Sequence, residues 1–150
     1  AIGSHAPAGV LATHDADALV FAYGVGLDLT RRDLQAAAKA KGLPWDVAKG
    51  FDHSAPVSAL LPAADAGDIT ALPLSLHVNG ELRQHGVLSD LVWNVPEILH
   101  ELSKLYALGA GDLVFMGTPA GVAALRPGDR FEARLGVLAA LQGHIVMAGV

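Results

Sequence analysis

Two periodicities run through this chain. Val95, Ile98, Leu99, Leu102, Leu105 and Tyr106 recur at spacings of three and four, which is one face of a helix. That spacing predicts a helix over residues 94–108, with Pro96 in its first turn, where a missing N–H is harmless. A second helix is predicted through residues 34–41. Thr30 is its cap, Asp33 the acid of a capping box and Gly42 its stop. A short third helix over residues 16–21 takes Asp15 as its cap. Elsewhere the pattern shortens to period two or to brief apolar runs. Strands are predicted over residues 23–29, 55–61, 112–116, 130–135 and 139–148. Residues 74–77 and 82–86 flank Asn79-Gly80, a strong hairpin signal. Pro127-Gly128-Asp129 reads as a turn. The sum is an α+β fold with mainly antiparallel pairing and few short helices.

Composition narrows the function. At 150 residues the chain is one domain long and buries a real core. Ten Lys and Arg against fifteen Asp and Glu leave a net charge of −5, which argues against a nucleic-acid partner. The absence of cysteine excludes disulfides, thiolate zinc sites and thiol nucleophiles. The mean hydropathy of +0.41 is high. Even so, the longest uncharged run, residues 135–150, falls short of the roughly 20 a membrane helix needs. It reads as strand, and no membrane partner is expected. Residues 1–8 carry no basic signal-peptide start. The opening Ala1-Ile2-Gly3-Ser4 reads as the end of a strand, so a further portion is expected upstream.

Several motifs fail their tests. Gly24-Val25-Gly26 lacks the third glycine of a dinucleotide fingerprint, because Leu29 stands there. Its glycines read instead as points where another backbone comes close. Glu97-x-x-His100 is half of a di-iron motif without a second half, and reads as a solvated helix face. No histidine spacing for a metal site and no Gly-x-Ser-x-Gly elbow is present.

Three places keep two readings open. Asp28 is an acid in an apolar segment and needs a partner or a metal. Arg32 and Gln35 follow on one helix face, so the three form either a structural Asp–Arg pair with a surface amide or part of a site. Lys49 lies between apolar segments, either as a solvated loop lysine or as a desolvated cation that stabilises an enolate or acts in proton transfer. The loop Gly117-Thr118-Pro119-Ala120-Gly121 is either a tight turn or a rigid cradle offering N–H groups and the Thr118 hydroxyl to an anion.

Together these segments resemble one family. Gly26-Leu27-Asp28-Leu29-Thr30-Arg31-Arg32-Asp33-Leu34-Gln35 is similar to the Asn-Asp-x-Ser-Ala-Arg-Asp-x-Gln element of the fumarylacetoacetate hydrolase family, with Leu27 where Asn is usual. Ala48-Lys49-Gly50-Phe51-Asp52 resembles its lysine segment, and Val78-Asn79-Gly80-Glu81-Leu82-Arg83-Gln84 its hairpin. Leu91-Val92-Trp93-Asn94-Val95-Pro96 resembles its helix entry, and Gly111-Asp112 through Gly121-Val122 its most diagnostic run. The spelling from Trp45 to Pro56 is most similar to the acylpyruvate hydrolase branch, the fumarylpyruvate hydrolases in particular.

The resemblance implies a β-sandwich roll and a divalent cation, Mg²⁺ or Mn²⁺. Asp28 matches a metal ligand and Lys49 the active-site lysine. Gln35 and Thr118 match positions that hold the substrate's oxyanion and carboxylate, Arg32 matches the motif arginine expected to orient the ligand or the substrate, and Gly117 is expected to bind substrate. The family's other two ligands form a Glu-x-Glu, which the glutamates here, Glu81, Glu97, Glu101 and Glu132, do not provide. The resemblance puts that motif just upstream of Ala1. Residues 1–150 would then be a C-terminal catalytic domain lacking its N-terminal side, inactive by itself. The implied reaction is cleavage of a C–C bond in a fumarylpyruvate-like keto acid to give pyruvate, in aromatic-acid catabolism, by a cytoplasmic homodimer. Keto-acid decarboxylation or tautomerisation, dienoate isomerisation or hydration, and an inactive binding module are the alternatives.

Overall fold

The computed structural model describes residues 1–147. Along the chain, α1 (Thr13–Ala16) runs into a 3₁₀ turn at Asp17–Leu19 and then β1 (Ala22–Tyr23). Next come α2 (Arg32–Ala40), α3 (Asp46–Lys49), β2 (Leu61–Pro62) and α4 (Ala63–Ala66). The hairpin β3 (Pro73–Val78) and β4 (Glu81–Val87) leads through a 3₁₀ turn at Leu88–Asp90 to α5 (Val95–Ser103). The strands β5 (Arg130–Leu135) and β6 (Ala139–His144) follow. The α+β expectation holds: short helices surround a two-stranded sheet, β1-β2, and a four-stranded sheet ordered β4-β3-β5-β6, both antiparallel.

Register decides which side chains enter the core. Leu74, Leu76 and Val78 pair across to Leu135, Ala133 and Phe131, so all six share one face. Of these, Leu74, Leu76, Ala133 and Leu135 pack with Val25, Leu27, Leu72 and Leu88, and β6 adds Ala139 and Leu141. The hairpin turns at Asn79 and Gly80, both with positive φ (53° and 84°), as the Asn-Gly signal predicts. Asn79 also ties the turn to its neighbour: its Nδ2 donates to Asp129 Oδ1 at 2.8 Å. The Arg126 backbone N–H, with that amide, holds the Asp129 carboxyl below its ordinary value.

A second core is formed where Ile2, Leu11, Ala16, Leu19, Leu99 and Leu108 pack together. Leu99 is 2% exposed, and its truncation to Ala would cost about 2–5 kcal/mol. Asn94 caps α5 in a reciprocal box with Glu97 (3.0 and 2.8 Å). His100 Nδ1 lies 2.6 Å from the Leu11 carbonyl. Glu97 of the Glu97-x-x-His100 pattern therefore stays on the exposed face as part of the cap, whereas the half-buried His100 bonds the segment that leads into α1.

Several boundaries differ from the sequence reading. The helix predicted over 94–108 ends at Ser103, and Leu105 and Tyr106 stand exposed because no element covers them. Asp15 falls inside α1, which has Ala12 at its cap position, and Thr30 bonds the Asp28 carbonyl instead of capping α2. The strands predicted over 23–29 and 55–61 shrink to β1 and β2 plus a single bridge, Gly26 to Val57. Residues 112–116 form no strand, since they find no partner ladder. The last strand ends at His144, and Ala148 lies outside the described residues. No helix among the described residues is long and apolar enough to cross a membrane.

Candidate active site

Asp28 lies on the extended stretch after β1. Leu27 and Leu29 donate their N–H groups to the Pro56 and Ser54 carbonyls (3.0 and 2.8 Å), fixing that stretch against residues 54–58. Glycine at 26 permits the fit: a Cβ there would stand 2.8 Å from Phe115 Cε1 and 3.0 Å from Val57 Cγ1. This is the crowding expected of the Gly24-Val25-Gly26 run, made by side chains more than by backbone.

The Asp28 side chain is 55% exposed, not buried. Apolar neighbours along a chain do not say which side of it stays open. Its partner is Lys49, whose Nζ donates to Oδ2 at 2.7 Å. Lys49 closes α3 and is 37% exposed, so it is neither a fully solvated nor a desolvated lysine. The Arg31 N–H donates to the Ala48 carbonyl at 3.0 Å and pins α3 to the start of α2.

Arg32 does not pair with Asp28. Its Nη1 donates to Gln35 Oε1 at 2.8 Å within α2. Gln35 is 8% exposed, a buried amide rather than a surface one. With its oxygen engaged, its NH₂ group is the end left to donate. Two other cations are held by rings: the Arg31 guanidinium stands 4.3 Å from the Phe51 centroid and Lys39 Nζ 4.8 Å from that of Trp45. Lys49 is thus the cation of this group that faces a carboxylate.

The second part is the 117–121 loop, which runs beside β4. Gln84 Nε2 donates to Thr118 Oγ1 and to the Pro119 carbonyl, both at 2.8 Å. Sequence reasoning missed Gln84. Register reveals it: Gln84 pairs with Leu76, so it is a polar residue on the core face. Gly121, at φ 100°, passes so near β4 that a Cβ would run into the Arg83 carbonyl oxygen. Thr118 and Gly117 are exposed. Phe115, against Gly26, links the lead into this loop to the stretch that carries Asp28.

The structure therefore joins Asp28 to Lys49, Arg32 to Gln35, and Thr118 to Gln84. A concavity of about 370 Å³, lined by His77, Arg130, Glu132 and Gln142 among others, contains none of them. The fit to a hard cation is partial. A carboxylate is the donor Mg²⁺ and Mn²⁺ prefer, and its lone pairs accommodate a second partner beside Lys49. Asp28 has no ready-made cluster around it, however: no group of three or more His, Cys, Asp or Glu that could hold a metal occurs among the described residues.

Comparison with known proteins places the chain in a family. Residues 1–146 match the family model described as fumarylacetoacetate (FAA) hydrolase C-terminal. The mitochondrial oxaloacetate tautomerase FAHD1 of Rattus norvegicus is 47% identical over 114 residues, 76% of this chain and 52% of its own length. The oxaloacetate tautomerase YcgM of Escherichia coli is 48% identical over 108 residues, 71% of this chain and 49% of its own. The chain thus spans about half the length of these curated relatives. Among solved structures, the fumarylpyruvate hydrolase of Pseudomonas aeruginosa in complex with Mn²⁺ and pyruvate superposes with a TM-score of 0.92 at 40% identity. That match covers 99% of this chain and 63% of the other. By fold, motif and sequence together, this chain belongs to the fumarylacetoacetate hydrolase family.

Proposed function

We propose that this chain carries part of the active site of a metal-dependent C–C hydrolase, which cleaves an acylpyruvate to pyruvate and a carboxylic acid. The observation that carries this reading is the Lys49 ammonium held 2.7 Å from Asp28 on an accessible surface. Such a pair sets a fixed positive charge next to a hard-cation ligand. An acylpyruvate carries a carboxylate beside its 2-oxo group, and cleavage leaves the enolate of pyruvate. When bound, a divalent cation, Mg²⁺ or Mn²⁺, would supply Lewis acidity toward oxygen. Asp28 would be its ligand from this chain, with the two further carboxylates of the family pattern outside it.

The chain's own residues then divide the work. Lys49 offers preorganised positive potential where negative charge grows on the 2-oxo oxygen. Gln35, its oxygen fixed by Arg32, donates an amide hydrogen to an oxyanion. Thr118 and the Gly117 backbone take the substrate carboxylate. The likeness to a fumarylpyruvate hydrolase in complex with Mn²⁺ and pyruvate supports this assignment.

A second reading has its own support: two curated relatives, at 47% and 48% identity, are oxaloacetate tautomerases. Oxaloacetate is also a 2-oxo acid that reacts through its enol, and the same lysine and cation ligand would serve it. Steady-state assays of the full protein with an acylpyruvate and with oxaloacetate, with and without Mn²⁺, separate the two. Pyruvate release from the acylpyruvate at a higher kcat/KM than oxaloacetate turnover is the expected result. Enol–keto exchange of oxaloacetate without acylpyruvate cleavage would establish the second reading, and activity untouched by exhaustive chelation would end both.

A further inference from the structure

The 117–121 loop is held to β4 at three successive places. Gly121 lies against the Arg83 carbonyl, Gln84 bonds Thr118 and Pro119, and a Cβ on Gly86 would stand 3.3 Å from the Pro119 ring. Two of these contacts are steric and would serve any tight turn. The middle one is chemical and has a direction. The Pro119 carbonyl can only accept, so the Gln84 atom facing it must be the NH₂ nitrogen. That nitrogen has two hydrogens, and the second goes to Thr118 Oγ1. Thr118 Oγ1 is thereby an acceptor inside the structure, and its own hydrogen must point away from Gln84. Thr118 Oγ1 donates to no protein acceptor among the described residues and the residue is exposed, so its hydrogen is available to a partner arriving from the open surface.

We propose that Gln84 is a positioning residue that presents the Thr118 hydroxyl as a hydrogen-bond donor to the carboxylate of the substrate. The proposal rests on the reading of the 117–121 loop as the carboxylate side of the site. It explains why an amide occupies a core-facing position of β4 opposite Leu76. A hydroxyl free to rotate would spend part of its time with its lone pairs toward an anion, which is repulsive. One fixed by Gln84 meets the anion already oriented, so less is lost on binding. Gln84 itself touches no substrate in this account and acts through Thr118.

The test is a double-mutant cycle in the full protein, with Gln84→Met as the isosteric loss of both donors and Thr118→Val as the loss of the hydroxyl. Steady-state kinetics are read alongside pyruvate affinity by calorimetry and thermal unfolding. Gln84→Met should raise KM and weaken pyruvate binding about tenfold, the scale of one lost hydrogen bond to a charged group, with kcat little changed. In the Thr118→Val background the same substitution should change KM less than about twofold, because its target is gone. Gln84→Glu should be worse than Gln84→Met, since an ionised carboxylate would draw the Thr118 hydrogen to itself. It also keeps the cycle usable if Gln84→Met does not fold. Wild-type KM in Gln84→Met, or equal losses in both backgrounds, would overturn the positioning role while leaving the loop reading intact. Wild-type KM and pyruvate affinity in Thr118→Val would instead remove the loop from the site, and this proposal with it.

Discussion

The two sides of the candidate site are held by different physics. On the Asp28 side, charge does the holding. Lys49 meets Asp28 in a half-exposed pair at 2.7 Å, on a four-residue helix pinned by one backbone bond. On the Thr118 side, shape does it. Glycines at 86 and 121 let the loop lie against β4, and one amide fixes its direction. An exposed ion pair contributes about 0–1 kcal/mol to stability, whereas a steric clash against backbone cannot be screened or solvated away. Damage on the first side should therefore appear in chemistry with the fold intact, and damage to the close-packed glycine at 121 on the second in the fold as well.

The largest effect should come from Gly121→Ala. The added Cβ meets the Arg83 carbonyl at a φ that L residues avoid, for a loss of about 2–5 kcal/mol. Thermal unfolding should show a midpoint lower by roughly 5–15 °C. Gly117→Ala sharpens the contrast, since its φ is also positive but nothing lies within 4 Å of the new Cβ. Its loss should stay near 1–2 kcal/mol, from backbone strain alone. Equal midpoints for the two variants would break the steric account of this side.

Lys49→Ala comes next. Turnover of an acylpyruvate should fall about 10²-fold, the scale of one preorganised electrostatic group. The unfolding free energy should move by less than about 1 kcal/mol. Lys49→Arg should not restore turnover, because a planar fork replaces a compact ammonium. A large drop in stability with near-normal kcat would reverse the proposed division between the sides.

Thr118→Val should lower kcat/KM by about 1–3 kcal/mol at little cost to the fold. The smallest effect is expected from Arg32→Lys, which keeps the charge but loses the guanidinium's rigid fork toward Gln35. A change of a few-fold in kcat, without a shift in unfolding midpoint, is the expected outcome in parallel assays of both substrates.

How far the sequence carried these conclusions differs between the same two regions. The hairpin, β5 and the Pro127–Asp129 turn follow from local signals, because alternation and Asn-Gly are written in neighbouring residues. The pairing of Asp28 with Lys49 is not local. It joins residues 21 apart, and helix spacing pointed to Arg32 instead, because i to i+3 arithmetic sees only one element. Periodicity also ran α5 on through Leu105 and Tyr106, since it counts apolar residues without asking what covers them. Gln84 was out of reach for another reason: its place on the core face depends on the β3-β4 register and on a loop 34 residues away. The family resemblance reached Asp28, Lys49, Gln35 and Thr118 as residues, but the contacts among them come from the fold.

The central claim is that these two sides face one 2-oxo acid. A crystal structure of the full protein with Mn²⁺ and pyruvate tests it most directly. The account predicts Mn²⁺ on the Asp28 carboxylate, Lys49 within hydrogen-bond reach of the 2-oxo oxygen, and the pyruvate carboxylate on Thr118 and the Gly117 backbone. Pyruvate bound elsewhere, or Mn²⁺ away from Asp28, would contradict it.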